Sequence, residues 1–323
     1  AVCRLSKGAH PSRVRVSVAS RCQHLVVGAR VVDALVVDAP VVGVGSVALV
    51  PSSSFLECNV LSSVVPGKGW GVLHLVFALD HAAVAQLPDG AAKDVVATLE
   101  HWQDQLQLHT YTVVGHKGDL LVMALSEDVA QLRAMQTALQ STAASSALRL
   151  TWSYLSLTEG SEYTDTPEQY REQMADKGLE GDELERRVAQ FAERMANYTE
   201  DKLHPKMPPW ELICLYPMSH RREGNDNCYA LEYEERKRLM GEHGRSGRAF
   251  TGRILQLVTA STGLDEYEYC VTLFAHDFAD IKQIVYTMRY DEASVRYAEF
   301  GPFYIGIRRT PAELVAEIGL ERM

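Results

Sequence analysis

From Trp70 onward the apolar positions fall into two recurring rhythms. Residues 70–79 (WGVLHLVFAL) read as a buried strand. Val95, Val96, Leu99 and Trp102 then fall at helical spacing within 90–106. LHTYTVVG and DLLVMAL read as two strands around the turn His116-Lys117-Gly118. A helix over 127–142 carries apolar Val129, Leu132, Met135 and Leu139, and a strand follows over 148–157. The order is strand, helix, strand, strand, helix, strand.

The second half repeats this order. A strand over 211–216 ends at Tyr216-Pro217-Met218 and gives way to a basic turn, His220-Arg221-Arg222. A charged helix over 231–242 is expected to stop at His243-Gly244, because glycine is a good C-cap. Strands over 253–260 and 267–275 flank Thr262-Gly263; a helix over 277–289 leads to a last strand over 300–307. Each half has the grammar of a ferredoxin-like unit, and two such units commonly set their sheets side by side with helices outside. The expected fold class is therefore α+β, with duplicated ferredoxin-like units over 68–163 and 210–310 and a tail over 311–323.

A charged connector over 164–209 separates the halves. Leu184, Val188, Phe191 and Met195 form one amphipathic stripe, with the charges on its solvated face. Pro205, Pro208 and Pro209 block helix before the second unit. Residues 1–67 stand apart as low complexity. Arg4, Lys7, Arg13, Arg15, Arg21 and Arg30 meet no acidic residue up to position 30, and a valine-rich run follows. Asp33, Asp38, Pro40, Gly43 and Gly45 make that run a poor transmembrane helix. Three readings stay open for this leader: a disordered extension, sequence preceding the natural start, or an organellar transit peptide. A cytoplasmic location follows from the first two and an organelle from the third.

Hydrophobic content of 46% and charged content of 23% fit a soluble globular chain. The net charge of −10 argues against a general nucleic-acid binder. The six cysteines (Cys3, Cys22, Cys58, Cys214, Cys228, Cys270) show no metal-like spacing and read as small buried residues.

Taken singly, the candidate chemical residues have plain readings. His243 is a capping or surface histidine, or an axial ligand through a neutral ring nitrogen with its other nitrogen on an acceptor. Tyr216 is a strand tyrosine whose hydroxyl reaches solvent. Alternation puts 254, 256 and 258 on one face, so Gln256 either finds hydrogen-bond partners or borders a cavity. Lys202, His220, Arg221, Arg222, Arg289 and Arg296 lie near element ends, as solvated charges or as donors to an acidic ligand.

Longer runs carry more. YPMSHRR, EERKRLMGEHGRSGR, GRILQLVTASTGLDEYEY, VTLFAHD and IVYTMRYDEASVRYAEFGPFYIG resemble the chlorite dismutase-like haem proteins, and within them the coproheme decarboxylases of Gram-positive type. GWGVLHLVFALD and LHTYTVVGHKGDLLVMALSEDVAQLRAMQTAL resemble the family in the first half.

The resemblance implies a dimeric α/β-barrel-type subunit, assembly as a homopentamer, and hydrogen-peroxide-dependent conversion of Fe-coproporphyrin III to haem b. It implies His243 as iron ligand, Tyr216 as the radical-forming tyrosine, and a distal pocket with Gln256 as the distal residue and Met218 facing the porphyrin rim. Lys202, His220, Arg289 and Ser294 match propionate-contacting positions, and a transient contact with the ferrochelatase that supplies coproheme is implied as well. Gln256 stands where chlorite-degrading members carry a charged arginine, which argues against chlorite breakdown. His220 stands where lysine is usual and Lys202 where arginine is usual; Cys228, Tyr267 and Tyr269 stand where tryptophan is common. Two alternatives stay in view: a peroxidase or chlorite-degrading enzyme, and a non-catalytic haem-binding or structural subunit, the latter kept by the N-terminal extension and the lost lysine.

Overall fold

The computed structural model describes residues 63–321 and, apart from them, a strand pair, Val26–Val27 with Arg30–Val31, in a separate unit spanning 1–58. The expectations for the leader otherwise lie outside the described residues.

The first unit comprises β1 (Gly71–Leu79), α1 (Ala91–Gln103), β2 (Gln107–Val113), β3 (Leu120–Ser126), α2 (Val129–Gln140) and β4 (Leu148–Thr158). The connector holds α3 (Pro167–Asp176) and α4 (Gly181–Leu203). The second unit comprises β5 (Leu212–His220), α5 (Tyr233–Arg248), β6 (Ile254–Ala260), β7 (Tyr269–Ala275), α6 (Phe278–Met288) and β8 (Tyr304–Arg309). A further helix, α7 (Pro311–Glu317), follows.

The strands form one antiparallel sheet in the order β7-β6-β4-β1-β3-β2-β8-β5, and β5 pairs back onto β7. The two ferredoxin-like sheets thus close into an eight-stranded barrel. Strand alternation then sorts the side chains. Val72, Val76, Tyr111, Met123, Tyr154, Leu215, Leu257 and Phe274 fill the interior. The outward residues of the first unit pack under α1 and α2, and those of the second under α6. At the β2–β8–β5 junction position 306 must be glycine, because a Cβ there would lie 2.8 Å from Tyr111 Cβ and 2.9 Å from Ile213 Cγ2. The β4–β6 seam is short, with two residue pairs, Thr158 with Thr259 and Leu157 with Ala260. It is reinforced by Ser261 Oγ donating to the Leu155 carbonyl (2.7 Å) and Leu155 N–H donating to Asp265 Oδ2 (2.9 Å).

Four expectations change. The connector is two helices, because Gly178 and Gly181 take positive φ between them, and Thr166 opens the first with a capping box. β5 runs on to His220, because a short strand, Ala298–Phe300, pairs with Met218–His220. α5 continues past His243 to Arg248. The segment 311–323 is no mere tail: Leu314, Val315 and Leu320 are buried in the core of the first unit.

His74 points into the barrel, fully buried, with Nε2 3.3 Å from Thr272 Oγ1 and no partner for Nδ1. Burial drives its pKa from 6.5 down to about 3, and burial followed by the nearby Arg308 charge takes His109 to about 4. An unfolded chain protonates both near pH 6.5. Stability therefore falls as pH drops below that value, and the His74 contribution levels off only near its folded pKa of about 3. In His74→Leu, the pH dependence of the unfolding free energy between pH 6 and 4 should be shallower by about 1.4 kcal/mol per pH unit, read from urea titrations.

Candidate functional site

The candidate residues lie on the outer face of the second unit, which α6 covers, and on α5 beside α6. α5 opens with Glu234 and Glu235 and closes with Arg245 and Arg248, so each end opposes its dipole charge. Its Gly244 and Gly247 stay helical, since neither takes a positive φ, and the helix ends only at Ala249. His243 is therefore not a C-cap, and its surroundings are set by side chains. Arg238 ties the helix to Glu292, and Arg296 bonds both Glu292 and Asp226. These bonds hold the turn after α6 against α5.

That turn places Asp291 beside His243, with Oδ2 3.2 Å from Nδ1. The other oxygen, Oδ1, accepts from Ser246 Oγ at 2.8 Å. Burial lowers the His243 pKa, the Asp291 carboxylate opposes that shift, and the charge of His220 adds to it. A neutral imidazole with Nδ1 turned toward Asp291, though not aligned on it, leaves Nε2 as the ligating nitrogen.

Tyr216 lies on β5 opposite Val271 and is buried among Phe250, Ile254, Ile284 and Met288. Its ring stacks on Phe303 (4.3 Å between centroids, 25°) and meets the edge of Phe300 (5.6 Å, 67°). Burial pushes the phenol pKa well above its ordinary value, with Cys214 and Cys270 adding, so it stays protonated. The ring is thus largely buried on the strand. Met218 follows on the same face, half-buried. Gln256 is exposed on β6, so its amide requires neither a buried partner nor a cavity. Ile254 and Val258 share its face as alternation predicts, and both pack in the outer cluster. Its Oε1 comes 3.9 Å from the position a Cβ on Gly247 would take, which sets it against the His243 side of α5.

The four anion-contacting candidates are held differently. His220 ends β5, with Nδ1 3.5 Å from Glu268 Oε2, and its ring stands edge-on to Tyr229 and Tyr269. Glu268 is buried. Burial raises its pKa, but the His220 N–H (2.9 Å), Tyr229 and Arg222 together hold it below the usual carboxylate value. Lys202 lies in the last turn of α4, 5.7 Å over the Tyr198 ring. Arg289 is exposed between Tyr286 (4.0 Å) and Tyr290 (4.8 Å) and donates to the Tyr290 hydroxyl. Ser294 lies in the π-helical turn Ala293–Tyr297, its N–H on the Asp291 carbonyl. Tyr216, Met218 and Gln256 thus share the outer face of the barrel, Gln256 near Gly247 of the helix that carries His243, and His220 is near enough to act on His243. Lys202 and Arg289 have aromatic partners of their own.

Sequence reasoning missed Asp291, Ser246, Glu268, Phe300 and Phe303. Ser246 follows His243 by three residues and shares its face only if the helix continues, which the glycine stop concealed. Cys214, Cys228 and Cys270 are buried and free, as read from the sequence. Among the described residues no group of three or more His, Cys, Asp or Glu could hold a metal ion, and no helix is long and apolar enough to cross a membrane.

A model of the chlorite dismutase family matches residues 89–309. The chain belongs to the chlorite dismutase family. Among solved structures, a protein from Thermus thermophilus described as a novel heme-binding protein is 32% identical, with a TM-score of 0.66, covering 78% of this chain and 96% of its own. A chlorite dismutase variant from Candidatus Nitrospira defluvii is 16% identical with a TM-score of 0.59, covering 78% and 96%, a likeness of fold alone. A Natronomonas pharaonis protein named as a putative heme-binding protein is 36% identical over 259 residues, 76% of this chain and 40% of its own. The chain thus spans about two fifths of the length of the curated relatives it matches.

Asp291 is the group that raises the His243 pKa against burial. In Asp291→Asn the imidazole should titrate at lower pH than in the parent, followed by NMR of the ligand-free protein.

Proposed function

We propose that this member of the family binds an iron porphyrin through His243 and decarboxylates Fe-coproporphyrin III to haem b with hydrogen peroxide. The observation that carries the reading is the pairing of two features. A neutral His243 stands on α5 with Nδ1 directed to Asp291, and the neighbouring barrel face presents a buried, protonated Tyr216 with Met218 and Gln256. This donor set fits an iron porphyrin, whose ring already supplies four nitrogens and needs one axial ligand. The relatives named for heme binding support the same reading.

The bound group supplies the redox chemistry, and hydrogen peroxide supplies the oxidising equivalents. Each propionate loses one hydrogen as a proton, two electrons and carbon dioxide to become a vinyl group, and one peroxide takes up that proton and those electrons with a second proton from solution to give two waters. Two rounds convert coproheme to haem b. Tyr216 contributes its hydroxyl hydrogen: the phenol is neutral, so its oxidation releases a proton with the electron, and the resulting radical can take hydrogen from a propionate beside it. Phe300 and Phe303 hold the ring in one orientation. Asp291 keeps His243 turned. His220, Lys202, Arg289 and Ser294 are the proposed contacts to carboxylates. A homopentamer and contact with a ferrochelatase belong to the same proposal.

A second reading is haem binding without decarboxylation. It is favoured by the carboxylate contacts: His220 is already engaged by Glu268, and Arg289 lies between two tyrosines. A chlorite-degrading enzyme fits less well, because Gln256 brings no charge to the face.

The deciding experiment is mass spectrometry of the porphyrin after hydrogen peroxide is added to the coproheme complex. Stepwise loss of two carboxyl groups is expected, and intact porphyrin would favour the second reading. Tyr216→Phe should bind coproheme and yield no decarboxylated product; full activity in that variant would remove Tyr216 from the reaction. His243→Ala should lose the axial-ligand spectrum.

A further inference from the structure

Asp291 has two neighbours on α5. Ser246 Oγ donates to Oδ1 at 2.8 Å, while His243 Nδ1 lies 3.2 Å from Oδ2. The first contact is a well-formed hydrogen bond. The second is not: both His243 Nδ1 and Asp291 Oδ2 are buried atoms without an aligned partner, despite their closeness. The carboxylate is committed to the serine and faces the imidazole at an angle.

The arrangement follows from the helix. Positions 243 and 246 are three apart, so their side chains lie on one face and reach the same carboxylate from one side. Asp291 cannot swing freely, because its segment is fixed. Its N–H donates to the Met288 carbonyl (3.1 Å), Ser294 N–H donates back to its own carbonyl (2.9 Å), and Arg238 and Arg296 hold Glu292 beside it. Ser246 Oγ has one other acceptor near it, the Glu242 carbonyl at 3.5 Å, so its hydroxyl is directed mainly at Asp291.

We propose that Ser246 is a positioning residue: its hydroxyl holds the Asp291 carboxylate off the aligned position on His243 and so limits how much imidazolate character His243 offers a bound iron. This rests on His243 being the axial ligand. A carboxylate that accepts fully from Nδ1 makes a ligand histidine more basic and the metal richer in electrons. A hydroxyl on the carboxylate draws off part of that charge and fixes its angle. Removing the hydroxyl frees Oδ1 and lets the carboxylate turn onto Nδ1.

The test uses the full chain loaded with haem b and reduced to the ferrous state. The iron–histidine stretching frequency is read by resonance Raman, and the ferric/ferrous midpoint by redox titration. Neither depends on turnover. In Ser246→Ala the stretching frequency should rise and the midpoint fall. Ser246→Thr, which keeps a hydroxyl on the same carbon, should stay near the parent. Asp291→Asn should move both readouts the opposite way. An unchanged Ser246→Ala beside a shifted Asp291→Asn would overturn the role of Ser246 and leave that of Asp291. No shift in either would overturn the whole clamp. Absence of a histidine-ligated spectrum in the parent protein would overturn the haem reading itself, and the inference with it.

Discussion

Barrel closure is the constraint on which the rest depends. Each ferredoxin-like sheet alone would leave two edges with unpaired backbone groups. Joining β4 to β6 and β2 to β8 removes those edges and commits one face of every strand to a shared interior. What remains is the outer face, and helices cover it in each half. The candidate site is on that outer face in the second unit, so its residues are held by backbone that closure has made stiff. Tyr216 lies on a strand paired on both sides, with β7 and β8. His243 lies on α5, positioned by ion pairs instead of by a ladder. The site is therefore built between one rigid element and one adjustable element.

Much of this was legible in the sequence because it rests on period. Strand and helix rhythms gave the order of elements in both halves, and the repeat gave the duplicated unit. Alternation placed Ile254, Gln256 and Val258 on one face. The rest was hidden for identifiable reasons. Gly244 reads as a stop, yet Gly241, Gly244 and Gly247 remain helical because the ion pairs of Arg238, to Glu235 and Glu242 within the helix and to Glu292 beyond it, and the packing of Leu239 outweigh their weak propensity. With the stop went any view of Ser246 as a neighbour of Asp291. Glu268 was masked by its flanking tyrosines, and its burial depends on pairing β5 with β7, which brings it to His220 from 48 positions away. Closure was not written in any one strand. It follows from how two sheets fit at their edges.

The charge arrangement around the site also has a direction. Near His220, Glu268 takes up the cations that could otherwise meet an anionic ligand. Near His243, a single carboxylate is shared between a hydroxyl and an imidazole. The first cluster is bound into the fold by backbone hydrogen bonds to His220 and Ser219. The second is held mostly by side chains. The electrostatics at the rim are thus structural, while those at the histidine can be altered by small changes of one side chain.

The helix α7 reaches back across the second unit to the first. Leu314, Val315 and Leu320 belong to the core under α1, although they follow β8 in the chain. During synthesis the first unit therefore emerges from the ribosome with part of its apolar surface uncovered, and it stays so until α7, made after the whole second unit, has followed. The early unit must wait, exposed to chaperones, for a clasp that comes only after its twin.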